Sequence, residues 1–160
     1  MNDPDALRHM GLIRHDEGDY EGAFEYYTKA ARLGNAGAHF ELSRLYQMGH
    51  GVEKDEKMEL HHLEEAAIGG NPSARHNLGC IEKENGRIHR AVKHFIIAAK
   101  LGTDDSLENV RGGFRLGLVS KEDFASALRG HQSAVDETKS LQRDAAEESK
   151  SFRQRKGRQN

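Results

Sequence analysis

The sequence predicts an all-α, right-handed solenoid of stacked helical hairpins with a long C-terminal helix, and three observations carry that prediction. The run Ala30-Ala31-Arg32-Leu33-Gly34-Asn35 returns as Ala66-Ala67-Ile68-Gly69-Gly70-Asn71 and again as Ala98-Ala99-Lys100-Leu101-Gly102-Thr103, at spacings of 36 and then 32 residues. Apolar residues inside each repeat fall at helical intervals. Glycine follows the last helical position of each repeat, where a positive φ is cheap only for glycine. A period of this length is one helix–turn–helix unit that cannot bury its own apolar face, so several must stack to make a core.

The units fall at about 5–35, 36–71 and 72–103, with a degenerate fourth at 104–130, and together they form a solenoid over residues 1–130. In the first helix of each unit Ala6, Ala38, Ala74 and Ser106 are in register, followed four residues later by Met10, Leu42, Leu78 and Val110. Gly11, Ser43 and Gly79 come next. On a helix these positions share one face, so the apolar residue points inward and the small one marks the crossing with the second helix. The fourth unit has Arg111 at that place and is the least regular. The second helices read Ala23-Phe24, Tyr27 and Ala30, then Glu59-Leu60, Leu63 and Ala66, then Ala91-Val92, Phe95 and Ala98. Gly34, Gly69 with Gly70, and Gly102 stop them, and Asn35, Asn71 with Pro72, and Thr103 with Asp104 open the next helix.

The segment Tyr46-Gln47-Met48-Gly49-His50-Gly51-Val52-Glu53-Lys54-Asp55 resembles the interhelix loop of the Sel-one-like repeats, close relatives of the tetratricopeptide repeats. The resemblance covers residues 5–103 well and 104–130 loosely. The first and third units carry a shorter, tetratricopeptide-like turn, Gly18-Asp19-Tyr20 and Gly86-Arg87-Ile88, which accounts for the four-residue difference in period. Two departures bear on local packing: Glu59 replaces the usual alanine, and Glu82 falls where Tyr46 sits in the second unit.

With Ser120 as its N-cap, Lys121-Glu122-Asp123-Phe124 starts a long helix with acidic residues in its first turn. Gly130 is its one breaker and a candidate bend. Phe124, Ala127 and Leu128 would cap the apolar end of the array. Residues 131–160 form a helical extension with a thin apolar stripe and a basic tail, Lys150, Arg153, Arg155, Lys156 and Arg158. The tail implies weak, salt-dependent contact with nucleic acid, or a solubilising end.

Composition narrows the function classes. With 36% hydrophobic residues, six Phe, four Tyr and no Trp, small-residue packing carries much of the core. No apolar run approaches the roughly 18 residues of a membrane span. One cysteine excludes an intramolecular disulfide, and the expectation is a soluble, intracellular and cytoplasmic protein without membrane contact. Residues 1–70 carry 14 acidic against 7 basic side chains, and residues 71–160 carry 12 against 17. This polarity would orient a partner at low salt.

Enzyme chemistry finds little support. No His pair falls at the i, i+3 or i+4 spacing of helical metal ligands: His9 and His15, His89 and His94, and the adjacent His61 and His62 all miss it. His61 and Glu65 do share a face. His76 stands four residues before Cys80, a spacing that would lower a thiol pKa if both faced one groove. No oxyanion loop or orienting third residue accompanies them, and Gly49-His50-Gly51 lacks the Lys-Ser or Lys-Thr of a phosphate loop. We therefore expect no catalytic residues, no metal and no cofactor.

Stacked hairpins line their inner side with first helices. That places Arg8, Leu12 and His15, then Phe40, Arg44 and Gln47, then His76, Cys80 and Lys83 on the groove, and resemblance to tetratricopeptide grooves adds Asn77, with His9, Glu41 and Asn109 as neighbours. Asn77 would hold a peptide backbone while the cations attract a carboxylate. The expected function is a non-enzymatic scaffold or adaptor binding a protein or peptide in this groove. The alternative is a structural subunit of a larger complex, anchored by the C-terminal helix and basic tail.

Overall fold

The computed structural model describes residues 3–157, with side chains up to Lys150. The described residues form eight helices: α1 (Pro4–Asp16), α2 (Tyr20–Arg32), α3 (Ala36–Met48), α4 (Glu56–Ile68), α5 (Pro72–Glu84), α6 (Ile88–Lys100), α7 (Asp104–Arg115) and α8 (Lys121–Gly157). Each odd helix packs on the even one after it, and successive pairs stack through α2 on α3, α4 on α5 and α6 on α7. The result is an all-α solenoid ending in one long helix.

Local chemistry sets the joints. Asn35 Oδ1 accepts from the Ala38 N–H at 2.8 Å and Asn71 Oδ1 from the Ala74 N–H at 2.9 Å, each satisfying a donor that the first turn leaves open. Thr103 also stands at an N-cap, without a side-chain hydrogen bond. Gly34, Gly70 and Gly102 take φ of +84°, +85° and +95° at the turns between units. Gly69 has φ −72° and serves as the C-cap, so of the two adjacent glycines only the second needs its freedom.

The core lies between the helix layers in three clusters. Tyr27, Ala23, Ala30, Ala38, Leu42 and Leu45 form the first; Leu63, Ala66, Ala74 and Leu78 the second; Phe95, Ala99, Leu107, Val110, Val119 and Ala127 the third. Small first-helix residues meet bulky second-helix ones. A β-carbon on Gly11 would lie 2.5 Å from the Tyr27 ring, and one on Gly79 would lie 2.6 Å from the Phe95 ring. The inward register fails at Met10, which is 38% exposed.

Two residues singled out by the sequence take definite places in the fold. Gly130 does not interrupt α8, which runs through it. A β-carbon there would lie 2.7 Å from Lys100 Cγ and 3.1 Å from Lys100 Cα, so the glycine permits close approach of α8 to α6. Glu82, in the place of Tyr46, is buried but satisfied: Arg87 Nε donates to its Oε2, and Arg90 Nε lies 3.5 Å from the same oxygen. The hydrogen bond from Arg87 holds this carboxyl below its ordinary range.

Phe124 and Leu128 pack onto the third cluster and Phe124 stacks on Phe114 at 4.5 Å, closing the apolar end. His131 Nε2 meets Asp104 Oδ1 at 2.7 Å. From Asp136 to Lys150 every residue of α8 is exposed.

Candidate functional site

The first-helix face brings together some of the expected groove residues and separates others. Arg44, Gln47, Asn77 and Cys80 line one groove of about 250 Å³ between α3, α4 and α5. Their convergence follows from the repeat register, because α3 and α5 start 36 residues apart, at Ala36 and Pro72. Glu59 and Glu84, which sequence reasoning did not place there, line the same groove. Burial, with Glu56 nearby, pushes the Glu59 carboxyl upward. Arg44 is itself paired with Glu41 at 3.2 Å. The groove therefore has donors, as expected, but carboxylates balance them.

The remaining residues lie elsewhere. Arg8 packs over Gly37, where a β-carbon would lie 2.9 Å from Arg8 Cδ. Leu12 is 38% exposed, and His15 meets the Tyr20 ring edge-on at 5.3 Å. Phe40 is partly buried against the second core cluster. Lys83 lines a neighbouring apolar hollow with Asn109. The basic-tail side chains of Arg153, Arg155, Lys156 and Arg158 lie outside the described residues; Lys150 is exposed.

His76 and Cys80 do face each other, with Cys80 Sγ 3.6 Å from His76 Nε2. The other ring nitrogen, Nδ1, is 2.7 Å from Ser106 Oγ, so the imidazole ties α5 to α7. Burial pushes the Cys80 thiol up, the direction opposite to that of an activated nucleophile. Among the described residues no group of three or more His, Cys, Asp or Glu side chains could hold a metal ion. No described helix is long and apolar enough to cross a membrane.

The structure also makes a histidine pair that spacing within one helix could not reveal. His39 Nδ1 on α3 and His62 Nδ1 on α4 are 2.9 Å apart, and Tyr46 stacks on His62 at 5.7 Å. One ring donates and the other accepts, so at least one must keep an unprotonated nitrogen. Burial, then the neighbouring His39 and His61, pushes His62 down to about 4, and burial also lowers His39. Because the folded values lie below the ordinary one near 6.5, stability is full above about pH 6.5 and falls as the pH drops towards 4. Thermal melts from pH 7.5 to 4 should show this loss, and His62→Phe should make the curve shallower across that window.

A protein-family model described as the Sel1 repeat matches residues 4–35, 36–71 and 72–103. Among solved structures, the chain is similar to a Sel1 repeat protein from Oxalobacter formigenes, with 25% identity and a TM-score of 0.67, covering 85% of this chain and 59% of that one. It is also similar to c5321, a protective antigen present in uropathogenic Escherichia coli strains that displays an SLR fold, at 24% identity and a TM-score of 0.62. That match covers 84% of this chain and 30% of the antigen. Likeness to MamA is one of fold alone, at 17% identity and a TM-score of 0.50, over 89% of this chain and 82% of that one. No curated protein matches the sequence. The chain thus spans less than two thirds of the first two solved relatives. Sel1 repeats are commonly protein–protein interaction scaffolds and typically non-catalytic. With three matched units over well more than half of its length and a solenoid that stacks them, this chain belongs to the Sel1-repeat family.

Proposed function

We propose that the chain is a non-enzymatic adaptor that takes an extended or helical segment of a protein partner along its first-helix face. The convergence of Arg44, Gln47, Asn77 and Cys80 on one groove supports this reading most directly. Asn77 and Gln47 offer both donors and acceptors to a peptide backbone, and Arg44 supplies the charge-assisted contact. The carboxylates of Glu59 and Glu84 favour a partner segment of mixed charge over a purely acidic one.

A second reading keeps its place because of α8. A helix exposed all round from Asp136 to Lys150 has no core of its own to rest on, which suits docking into a larger complex. In that case Lys150, Arg153, Arg155, Lys156 and Arg158 would make the main contacts, with an acidic protein surface or, weakly and salt-dependently, nucleic acid.

Affinity capture from cell extract separates the two. Arg44→Glu should weaken a groove partner about tenfold or more. Replacing the five tail cations by Gln should leave that partner in place. Loss in the tail variant alone would transfer the function to α8 and sink the groove reading.

A further inference from the structure

An apolar hollow of about 570 Å³ opens beside α6 and α7, lined by Ile88, Val92, Phe95, Gly112 and Leu116 among others. Its origin can be read by laying the chain over itself. Pro4 to Pro72, Tyr20 to Ile88 and Ala36 to Asp104 are each 68 residues apart, so α5, α6 and α7 repeat α1, α2 and α3. In the earlier copy the same place is filled. Leu45 is 1% exposed, and Phe24 and Val52 pack together on its cluster. His50 stacks on Tyr20 at 4.3 Å, and Gly51 lies so close to Tyr20 that a β-carbon would come within 2.5 Å of its backbone.

In the later copy Leu45 becomes Gly113 and Phe24 becomes Val92. The turn that delivers Val52, residues 49–55, shrinks to residues 116–120. Val119 recovers part of the volume, since a β-carbon on Gly113 would lie 2.9 Å from its Cγ2. The rest stays open: a β-carbon on Gly112 would meet nothing within 4 Å. The turn's own Leu118 lines this space and Val119 is buried beside it, so the hollow is the volume that Phe24 and Leu45 fill in the earlier copy and that Val92 and Gly113 leave open.

Charge at the rim selects what enters. Glu108 is taken by Arg111 at 2.8 Å, whereas Lys83, exposed, enters no ion pair among the described residues. We propose that this hollow is the specificity subsite of the adaptor surface, and that it receives an aliphatic side chain from an extended partner segment whose following residue is acidic. The aliphatic group takes the volume that Phe24 and Leu45 occupy in the earlier copy. The acidic neighbour complements the ammonium of Lys83. This inference rests on the adaptor reading and adds to it a named subsite and a ligand chemistry.

The test uses the full chain and three dye-labelled synthetic peptides: Ser-Gly-Val-Glu-Asp-Ser, the same peptide with Ser for Val, and the same peptide with Lys-Lys for Glu-Asp. Fluorescence anisotropy should show saturable binding of the first, with at least about tenfold weaker binding of the other two. Gly112→Leu should fill the hollow and weaken the first peptide at least about tenfold, with melting temperature held or raised because leucine suits a helix interior better than glycine. Lys83→Glu should move the preference from the acidic to the basic peptide.

Absence of saturable binding, or binding untouched by Gly112→Leu, would overturn the proposal. So would a concentration-dependent dimer that Gly112→Leu abolishes, because the occupant would then be a second copy. Arg44→Glu distinguishes the two levels. If it releases the captured partner while Gly112→Leu does not, the adaptor reading stands and this subsite falls; if neither releases it, both fall.

Discussion

Tyr27→Ala should destabilise the protein by about 3–5 kcal/mol, the range for truncating a large aromatic in a packed core. Tyr27 is fully buried and belongs to the first core cluster with Leu42 and Leu45. Its ring lies against Gly11, so truncation opens a cavity that α1 can close only by moving. At about 2–4 °C per kcal/mol for a chain of this size, melting should fall by roughly 10 °C. The hydroxyl is a separate matter. It is buried without a hydrogen-bond partner among the described residues, and burial pushes it up to about 12, so it stays neutral. Tyr27→Phe should therefore be neutral or slightly stabilising, because it removes an unsatisfied polar group and keeps the packing. Urea or thermal unfolding of the pair checks this; a Phe variant as unstable as Ala would show that the hydroxyl, not the ring, carries the stability.

The second large effect is expected at Gly51. Its φ of +68° alone costs an L-residue about 1–2 kcal/mol. A β-carbon would also strike the Tyr20 carbonyl at 2.5 Å, and this neighbour is backbone, which cannot rotate away. Gly51→Ala should therefore cost about 2–4 kcal/mol, since overpacking adds to the dihedral cost. Gly18→Ala is the matched control, with φ +80° and nothing within 4 Å of the added carbon. Equal losses in the two variants would show that the loop moves freely off Tyr20. A larger loss at Gly51 measures how firmly the loop is seated, which is the interaction that the hollow at α6 and α7 lacks.

The difference between these two glycines is also the difference between what is local and what is not. Both read as turn residues in the sequence, because positive φ is a property of one residue and its neighbours. Only Gly51 has backbone against it, and that comes from α2, some thirty residues earlier. Gly130 makes the same point in reverse: as a letter it signals a break, and in the fold it is the contact point of α8 with Lys100.

The candidate groove was partly legible for a related reason. Helical phase placed Arg44, Gln47 and Cys80 on the first-helix face, and resemblance added Asn77; the four do share a groove. Phase did not reveal that Glu59 and Glu84 face them, because Glu59 belongs to a second helix and enters the groove only through the stacking of α4 on α5. The pairing of His39 with His62 escaped in the same way, since i, i+4 counting covers one helix at a time.

The sequence by itself determined the helical hairpins, the Asn35 and Asn71 caps and the glycine stops, because periodicity and turn chemistry act over a few residues and recur with each repeat. Tertiary structure alone decided which charges meet across helices, such as Glu82 with Arg87 and Arg90, and where volume is missing, as beside Gly112. Those outcomes depend on side chains from three or four helices filling or failing to fill one space, and packing of that kind has no signature in any single stretch of chain.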